Sequence, residues 1–129
     1  DMFQEMDTAA KLEKVRHLDP TLMPAETVVA MATRQGARVL GMGDVTGCLK
    51  AGKKADLILI DLNRPHLTPM YNPYSHLVYA VNGSDVKTVF IAGNMVMKDR
   101  KLLSLNEEEI MRQVHRIAER VRKSLRKPA

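Results

Sequence analysis

The 129-residue sequence contains little cysteine and few aromatic residues, with one Cys, no Trp, three Tyr and two Phe. The lone Cys48 excludes an intrachain disulfide and any Cys-x-x-Cys metal or redox motif. This usage is typical of a reducing compartment, so we predict a cytoplasmic location. Cys48 itself is expected to be a small, buried apolar residue.

Long apolar runs are also missing, since no stretch approaches the roughly 18 residues of a membrane-spanning helix. The first five residues, DMFQE, contain neither a basic region nor a signal-like apolar segment. With 45% hydrophobic and 27% charged residues and only seven Gly and six Pro, the composition is that of a globular chain. We expect a single core.

The net charge of +5 is concentrated at one end of the sequence. Residues 112–129 contain seven basic residues and one acid, a net +6, which leaves −1 for residues 1–111. This segment lacks the aromatic residues that stack on nucleic acids. It also lacks the Trp or Phe of a membrane-surface helix. We therefore predict neither a nucleic-acid nor a membrane partner.

Hydrophobic periodicity predicts two helices before residue 43. The first spans residues 1–18 and ends at Asp19-Pro20. The second starts at Pro24 and is closed by Gly41 as a left-handed cap. The expected buried stripes are Met2, Met6, Ala9, Ala10 and Leu12 or Glu13, with Phe3 and Val15 at the edge, in the first helix, and Val28, Ala32, Val39 and Leu40 in the second.

The middle of the chain reads as strands and a loop. We predict a short strand at 48–51, a strand covered on both faces at 55–62, and a hairpin of 86–92 and 95–98 joined at Gly93-Asn94. Residues 63–73 hold three of the six prolines and form an ordered loop. Residues 74–81 fit either a helix or a strand, and residues 82–85 form a turn.

The last helix has the clearest pattern. Asn106 and Glu109 have the spacing of a capping box, in which each side chain accepts from the other residue's backbone amide. One apolar stripe follows at spacings of 4, 3, 4 and 4 residues, and basic residues occupy the opposite side and the C-terminal end. The stripe consists of Ile110, Val114, Ile117, Val121 and Leu125.

Patterns for catalysis are missing throughout. The histidines form neither HxH nor HExxH, and we expect each to be a lone polar residue: His17, His66, His76 and His115. His66 and His76 flank the Pro-rich loop, where they either shape it by hydrogen bonds or border a ligand pocket.

No serine lies in a Gly-x-Ser-x-Gly elbow, neither Ser75, Ser84, Ser104 nor Ser124. No P-loop is present, and Lys53 and Lys54 are expected to be solvated. We assign no catalytic, cofactor-binding or metal-binding residue.

One stretch has a specific likeness. Residues 47–61, GCLKAGKKADLILID, resemble the C-terminal signature of the amidohydrolase superfamily, whose members pair a metal-dependent barrel with a small β domain. Residues 24–27 and 32–38 look like that family's last barrel helices. The run NPYSHLVYA at 72–80, with 86–94, is similar to the deaminase and chlorohydrolase branch, in particular to 5-methylthioadenosine/S-adenosylhomocysteine deaminases.

The resemblance implies an α+β fragment of three parts. Residues 1–43 would be the last helices of a TIM-type (β/α)8 barrel. Residues 44–105 would be the C-terminal strands of a small composite β-sandwich domain with its Pro-rich loop, and residues 106–129 a basic amphipathic helix. Asp1 looks like a residue shortly after the family's metal-binding aspartate, so it is expected to start a helix and not to bind metal.

The implied function is that of a scaffold. In the family, zinc or another divalent metal activates water for hydrolytic deamination of adenine-type nucleosides, or for related C–N or C–Cl hydrolysis. The resemblance implies that an HxH pair, two further histidines and an aspartate at barrel strand ends hold this metal. None of those positions has a counterpart here, so this chain alone is expected to be inactive. Its partners would be the rest of its polypeptide, a small-molecule substrate in the full-length enzyme, and further copies of itself. The alternative is a free-standing α+β interaction module that binds through its basic helix.

Overall fold

The computed structural model describes residues 1–125 and shows an α+β chain. The helices are α1 (Met2–His17), α2 (Ala25–Ala30), α3 (Gly36–Val39), α4 (Pro73–Tyr79) and α5 (Glu107–Leu125). A π-helical segment, Met31–Gln35, joins α2 to α3. The strands are β1 (Leu57–Ile60), β2 (Val86–Ile91), β3 (Asn94–Lys98) and β4 (Lys101–Leu102). The α+β prediction is confirmed at this level.

The strands form one antiparallel sheet in the order β1-β2-β3-β4. The predicted hairpin of β2 and β3 is confirmed, but its turn residues are Ala92 and Gly93, one position earlier than expected. Both have positive φ, at 49° and 82°, as a tight hairpin turn requires. The two-residue strand β4 was not predicted, and the strand expected at 48–51 is wrong, because that segment forms turns and bends.

The core is formed by residues of α1, α2 and α4, the Pro-rich loop and the start of β2. Phe3, Met6 and Ala10 of α1 are buried there, which confirms Met6 and Ala10, whereas Phe3, expected only at the edge of the stripe, is buried in place of Met2. Met2, Leu12 and Val15 are exposed instead. The other buried members of the core are Val28, Leu67, Val78, Val81 and Val86. The segment at 74–81, whose sequence fits either a helix or a strand, forms a helix as far as Tyr79, within α4 (Pro73–Tyr79).

The second predicted helix has a register change that its sequence pattern does not show. Val28 is buried as expected, but Val39 and Leu40 are exposed. The π-helical segment Met31–Gln35 inserts an extra residue into the turn, and this rotates every later side chain by about 100°. The left-handed conformation of Gly41, with φ of 69°, is confirmed.

Large apolar side chains are left exposed on β1 and α5. Ile58 and Leu59 of β1 are about half exposed, although the sequence predicts a strand covered on both faces. Helix α5 buries none of its residues in the described chain, and its predicted apolar stripe faces solvent. No helix within residues 1–125 is long and apolar enough to cross a bilayer.

Candidate functional site

The most connected polar cluster joins α1, the Pro-rich loop and the start of β2. We call it the polar junction and define it as Asp1, His66, Asn82, Asp85 and Arg100. Asp85 is at its centre, with only 3% of its side chain exposed. The carboxylate accepts a hydrogen bond from His66 Nε2 at 3.0 Å and another from the backbone amide of Asn82 at 2.9 Å. The histidine therefore ties the loop to the sheet.

Asp1 and Arg100 connect this cluster to the first helix and to the turn between β3 and β4. Asp1 Oδ1 accepts from the Phe3 amide at 2.9 Å and caps α1, while its Oδ2 accepts from the Gly83 amide at 3.0 Å. The prediction that Asp1 starts a helix is confirmed. Arg100 Nη1 donates to Gly83 O at 2.8 Å and to Val86 O at 3.3 Å. Asp1 and Gly83 are thus in direct contact although they lie 82 positions apart in the sequence.

Opposing influences act on the Asp85 carboxyl. Burial, the largest single influence, raises its pKa, but hydrogen bonds from His66 and Asn82 and the charges of His66 and Arg64 together outweigh it. The pKa of Asp85 is therefore lowered below its ordinary value. At neutral pH the group is ionised, and its Oδ2 accepts both hydrogen bonds, which suits a structural anchor.

A second polar cluster explains part of the GKKAD signature. Asp56 accepts from the Ala92 amide at 2.7 Å and from the Thr46 hydroxyl at 2.9 Å. These hydrogen bonds, with the charge of Lys54, lower the pKa of Asp56. Lys53 donates to Gly43 O and to Thr46 O. The expectation of a solvated Lys53 is thus wrong: signature residues hold the 43–46 loop, and Asp56 also holds the hairpin turn.

The histidines remain separate in space. His17 Nε2 lies 3.4 Å from Glu13 on α1, and His76 Nδ1 lies 3.2 Å from Asn72 O at the start of α4. Both loop-flanking histidines, His66 and His76, are therefore held by hydrogen bonds, which confirms the first of the two readings. His115 lies on α5.

The zinc implied by the resemblance has no donor set in the described part of the chain. No group of three or more His, Cys, Asp or Glu residues within positions 1–125 is arranged to hold a metal ion. His66 is the histidine of the polar junction, and its Nε2 is engaged with a carboxylate. The residues present therefore do not fit a zinc site, and no chemical step is assigned to one here.

Two further expectations concern Cys48 and the last helix. Cys48 is exposed, not buried, and it lies in a bend, not in the predicted strand. Asn106 Oδ1 accepts from the Glu109 amide at 3.1 Å as predicted, but the Glu109 carboxylate binds Arg112 and Arg116 at 2.7 and 3.2 Å. A complete capping box forms instead between Asn82 and Asp85, within the predicted turn.

Acid is expected to destabilise this fold below about pH 4. Asp56 and Asp85 have lowered pKa values, so their contribution is fully present above the unfolded-state pKa and is lost as pH falls through the folded-state pKa. Urea unfolding between about pH 5 and 2 should show a shallower pH slope for Asp85→Asn than for the unmodified chain. The exposed Asp99 provides the control Asp99→Asn; equal slopes for both variants would contradict the prediction.

These observations describe an α+β unit whose polar clusters anchor loops, turns and helix ends. The chain belongs to the amidohydrolase family, whose model matches residues 1–96. It is 84% identical over 128 residues to a 5-methylthioadenosine/S-adenosylhomocysteine deaminase 1 of Syntrophus aciditrophicus, an alignment that covers 99% of this chain and 29% of the relative. A 5'-deoxyadenosine deaminase of Methanosarcina barkeri is 47% identical over 119 residues, covering 92% and 27% respectively.

Solved structures show the same fold. The crystal structure of an adenosine deaminase from Xanthomonas campestris with bound zinc superposes with a TM-score of 0.90 at 36% identity, over 95% of this chain and 28% of that one. The atrazine chlorohydrolase TrzN from Arthrobacter aurescens superposes with a TM-score of 0.74 at 23% identity, over 86% and 25%. This chain therefore spans less than a third of the length of these relatives.

Proposed function

We propose that this chain is the C-terminal scaffold of a metal-dependent aminohydrolase. Its substrate would be an adenine-type nucleoside such as 5-methylthioadenosine or S-adenosylhomocysteine, or a related ring undergoing C–N or C–Cl hydrolysis. The observation that carries this proposal is the 84% identity to a deaminase of which the chain spans 29%. The single cysteine further supports a cytoplasmic location.

The exposed apolar surface supports the proposed division of the chain. Helices α1 to α3 (residues 1–43) would cover a barrel, and residues 44–105 would complete a composite β domain. Ile58 and Leu59 are about half exposed on β1, which lies at the edge of the sheet. An open edge with large apolar side chains is a surface that proteins normally pair or cover. In the proposed enzyme, upstream polypeptide would do so.

The described residues contain no group that could hold a metal ion, so the metal and the scaffold would come from different parts of the enzyme. Zinc, bound by side chains outside this chain, would activate the attacking water. The polar junction would hold the start of α1 against the turn at residues 83–85. Each Asp1 carboxylate oxygen accepts one amide, from Phe3 and from Gly83, so the entry to α1 is fixed from two sides. The free-standing module remains the alternative, but the family match over residues 1–96 favours the enzyme part.

A chimera tests this proposal. The C-terminal segment of the Syntrophus aciditrophicus relative would be replaced by this chain over the 128 aligned residues. We expect the chimera to release ammonia from 5-methylthioadenosine or S-adenosylhomocysteine at a rate within about tenfold of the parent, because the exchanged segments are 84% identical. A tenfold change in rate corresponds to about 1.4 kcal/mol in the activation barrier. The 129-residue chain alone should release none.

Two controls make the result interpretable. The parent enzyme measures the full rate, and a chimera with Leu67→Ala in this segment tests whether activity depends on the fold of the segment. A chimera that folds, as judged by circular dichroism, but deaminates neither nucleoside would overturn the proposed function. Deamination by the isolated chain would overturn the scaffold assignment.

A further inference from the structure

The polar junction contains the one Asn-Gly pair of the sequence, Asn82-Gly83. Such a pair is chemically labile, because the backbone nitrogen that follows an asparagine can attack its side-chain amide, and glycine has no Cβ to hinder the approach. The fold nevertheless uses both residues. The Asn82 side chain caps the 3-10 turn Gly83–Asp85, and a Cβ on Gly83 would lie 2.8 Å from Asp1 Oδ2. A reactive pair is therefore built into the junction.

The reaction open to this pair is hydrolytic deamidation, and it needs only water. The Gly83 nitrogen loses its proton to solvent and bonds to Asn82 Cγ, the Cγ–Nδ2 bond breaks, and the leaving nitrogen takes a proton and departs as ammonia. Water then adds to one of the two carbonyl carbons of the succinimide ring and breaks its bond to nitrogen. The product is aspartate or isoaspartate, and isoaspartate has one more carbon atom in the main chain.

The closed junction restrains the groups that must move in this reaction. The Gly83 amide donates to Asp1 Oδ2 at 3.0 Å, so the nucleophile is occupied, and its deprotonated form would face a carboxylate. Asn82 Oδ1 accepts from the Ser84 amide at 2.9 Å, which fixes the side chain. Ring closure also requires Asn82 Cβ and the Gly83 nitrogen to be eclipsed about the Cα–C bond, whereas at the observed ψ of 168° they are staggered.

We propose that Asn82 is a latent modification site that deamidates when the polar junction opens. Opening breaks the hydrogen bonds to Asp1 and Ser84 and lets the Asn82 backbone rotate. The product then opposes closure. Isoaspartate lengthens the main chain next to the Gly83 amide, and the new carboxylate lies beside two acids that bind the amides of this pair, Asp1 and Asp85. An opening that ends in deamidation is therefore permanent.

Peptide mass spectrometry of the incubated chain tests this proposal. We expect Asn82 to deamidate about twentyfold more slowly in the folded chain than in a free peptide of residues 78–88, because each of the two hydrogen bonds that must break contributes roughly a factor of five. Asp1→Ala should raise the rate in the folded chain roughly fivefold, since it removes one of these bonds. Asp1→Asn keeps a cap for α1 and should raise the rate about twofold, because a neutral acceptor holds the amide less strongly.

Gly52→Ala is the control for general destabilisation, because Gly52 has a positive φ of 87° but lies outside the junction. Its rate at Asn82 should stay within about twofold of the unmodified chain. The isoaspartate form, purified by ion exchange, should unfold at a lower urea concentration than Asn82→Asp, which adds the same charge without the extra carbon. Ammonia from Asn82 is limited to one molecule per chain and needs no nucleoside, which distinguishes it from catalytic deamination.

Four results would overturn the proposal: equal rates in the folded chain and the peptide, unchanged rates in folded Asp1 variants, an equal rise for Gly52→Ala and Asp1→Ala, or an isoaspartate form as stable as Asn82→Asp.

Discussion

Replacing Leu67 with alanine is expected to lower the free energy of unfolding by about 3 kcal/mol. Leu67 is 1% exposed and is among the largest fully buried side chains of the described chain. It comes from the short 3-10 turn Pro65–Leu67 and inserts between the helices and the sheet in the core cluster. Alanine would lose the transfer energy of the removed methine and two methyl groups and leave a cavity that rigid neighbours cannot fully close.

Urea unfolding followed by circular dichroism measures this effect. Leu105→Ala is the matched control, because Leu105 is the same residue type but is 57% exposed. Its expected change is within about 0.5 kcal/mol. A loss below about 1 kcal/mol for Leu67→Ala would show that the loop is not anchored by this side chain.

Two adjacent side chains hold the whole Pro-rich segment in place. Residues 63–73 have little regular structure, yet Leu67 and His66 hold the loop from neighbouring positions. One inserts into the core and the other binds the buried Asp85. The sequence predicts an ordered loop from its prolines. It does not predict which side chains order it, because burial of a loop residue depends on long-range contacts.

Local patterns predicted the elements that depend on local physics. The β2–β3 hairpin has alternating residues and a glycine turn, and Asn106 caps α5 within four residues of sequence. Both depend on neighbours in the chain. The sequence does not determine which face of α1 is buried, because Met2 and Phe3 are adjacent and equally apolar. Tertiary packing selects Phe3.

Most contacts of the candidate site could not be predicted from the sequence, because they also depend on long-range packing. The contact between Asp1 and Gly83 spans almost the whole chain. From its sequence Asp85 is predicted only to lie in a turn, although its spacing from Asn82 matches a capping box. That spacing is the signal that could have identified it. The π-helical segment at Met31–Gln35 has no comparable signal.

The glycine that opens the signature, Gly47, is expected to tolerate no side chain. Its φ is 92°, and an added Cβ would lie 2.7 Å from Ala37 Cβ and 3.1 Å from Arg34 Cα. The helical segment at residues 33–37 therefore passes directly against this backbone. Gly47→Ala combines left-handed strain of about 1 to 2 kcal/mol with a clash against groups that cannot rotate away. We expect a loss of about 3 kcal/mol in the free energy of unfolding.

Gly52→Ala separates the two contributions. Gly52 has a similar φ of 87°, but nothing lies within 4 Å of an added Cβ. The substitution should therefore cost only the backbone strain, about 1 kcal/mol. Both variants would be compared by urea unfolding in the same buffer. Equal losses would show that the signature requires Gly47 for its backbone conformation alone; a larger loss for Gly47→Ala would show that the glycine lets the loop before β1 pack closely against the last helical turns.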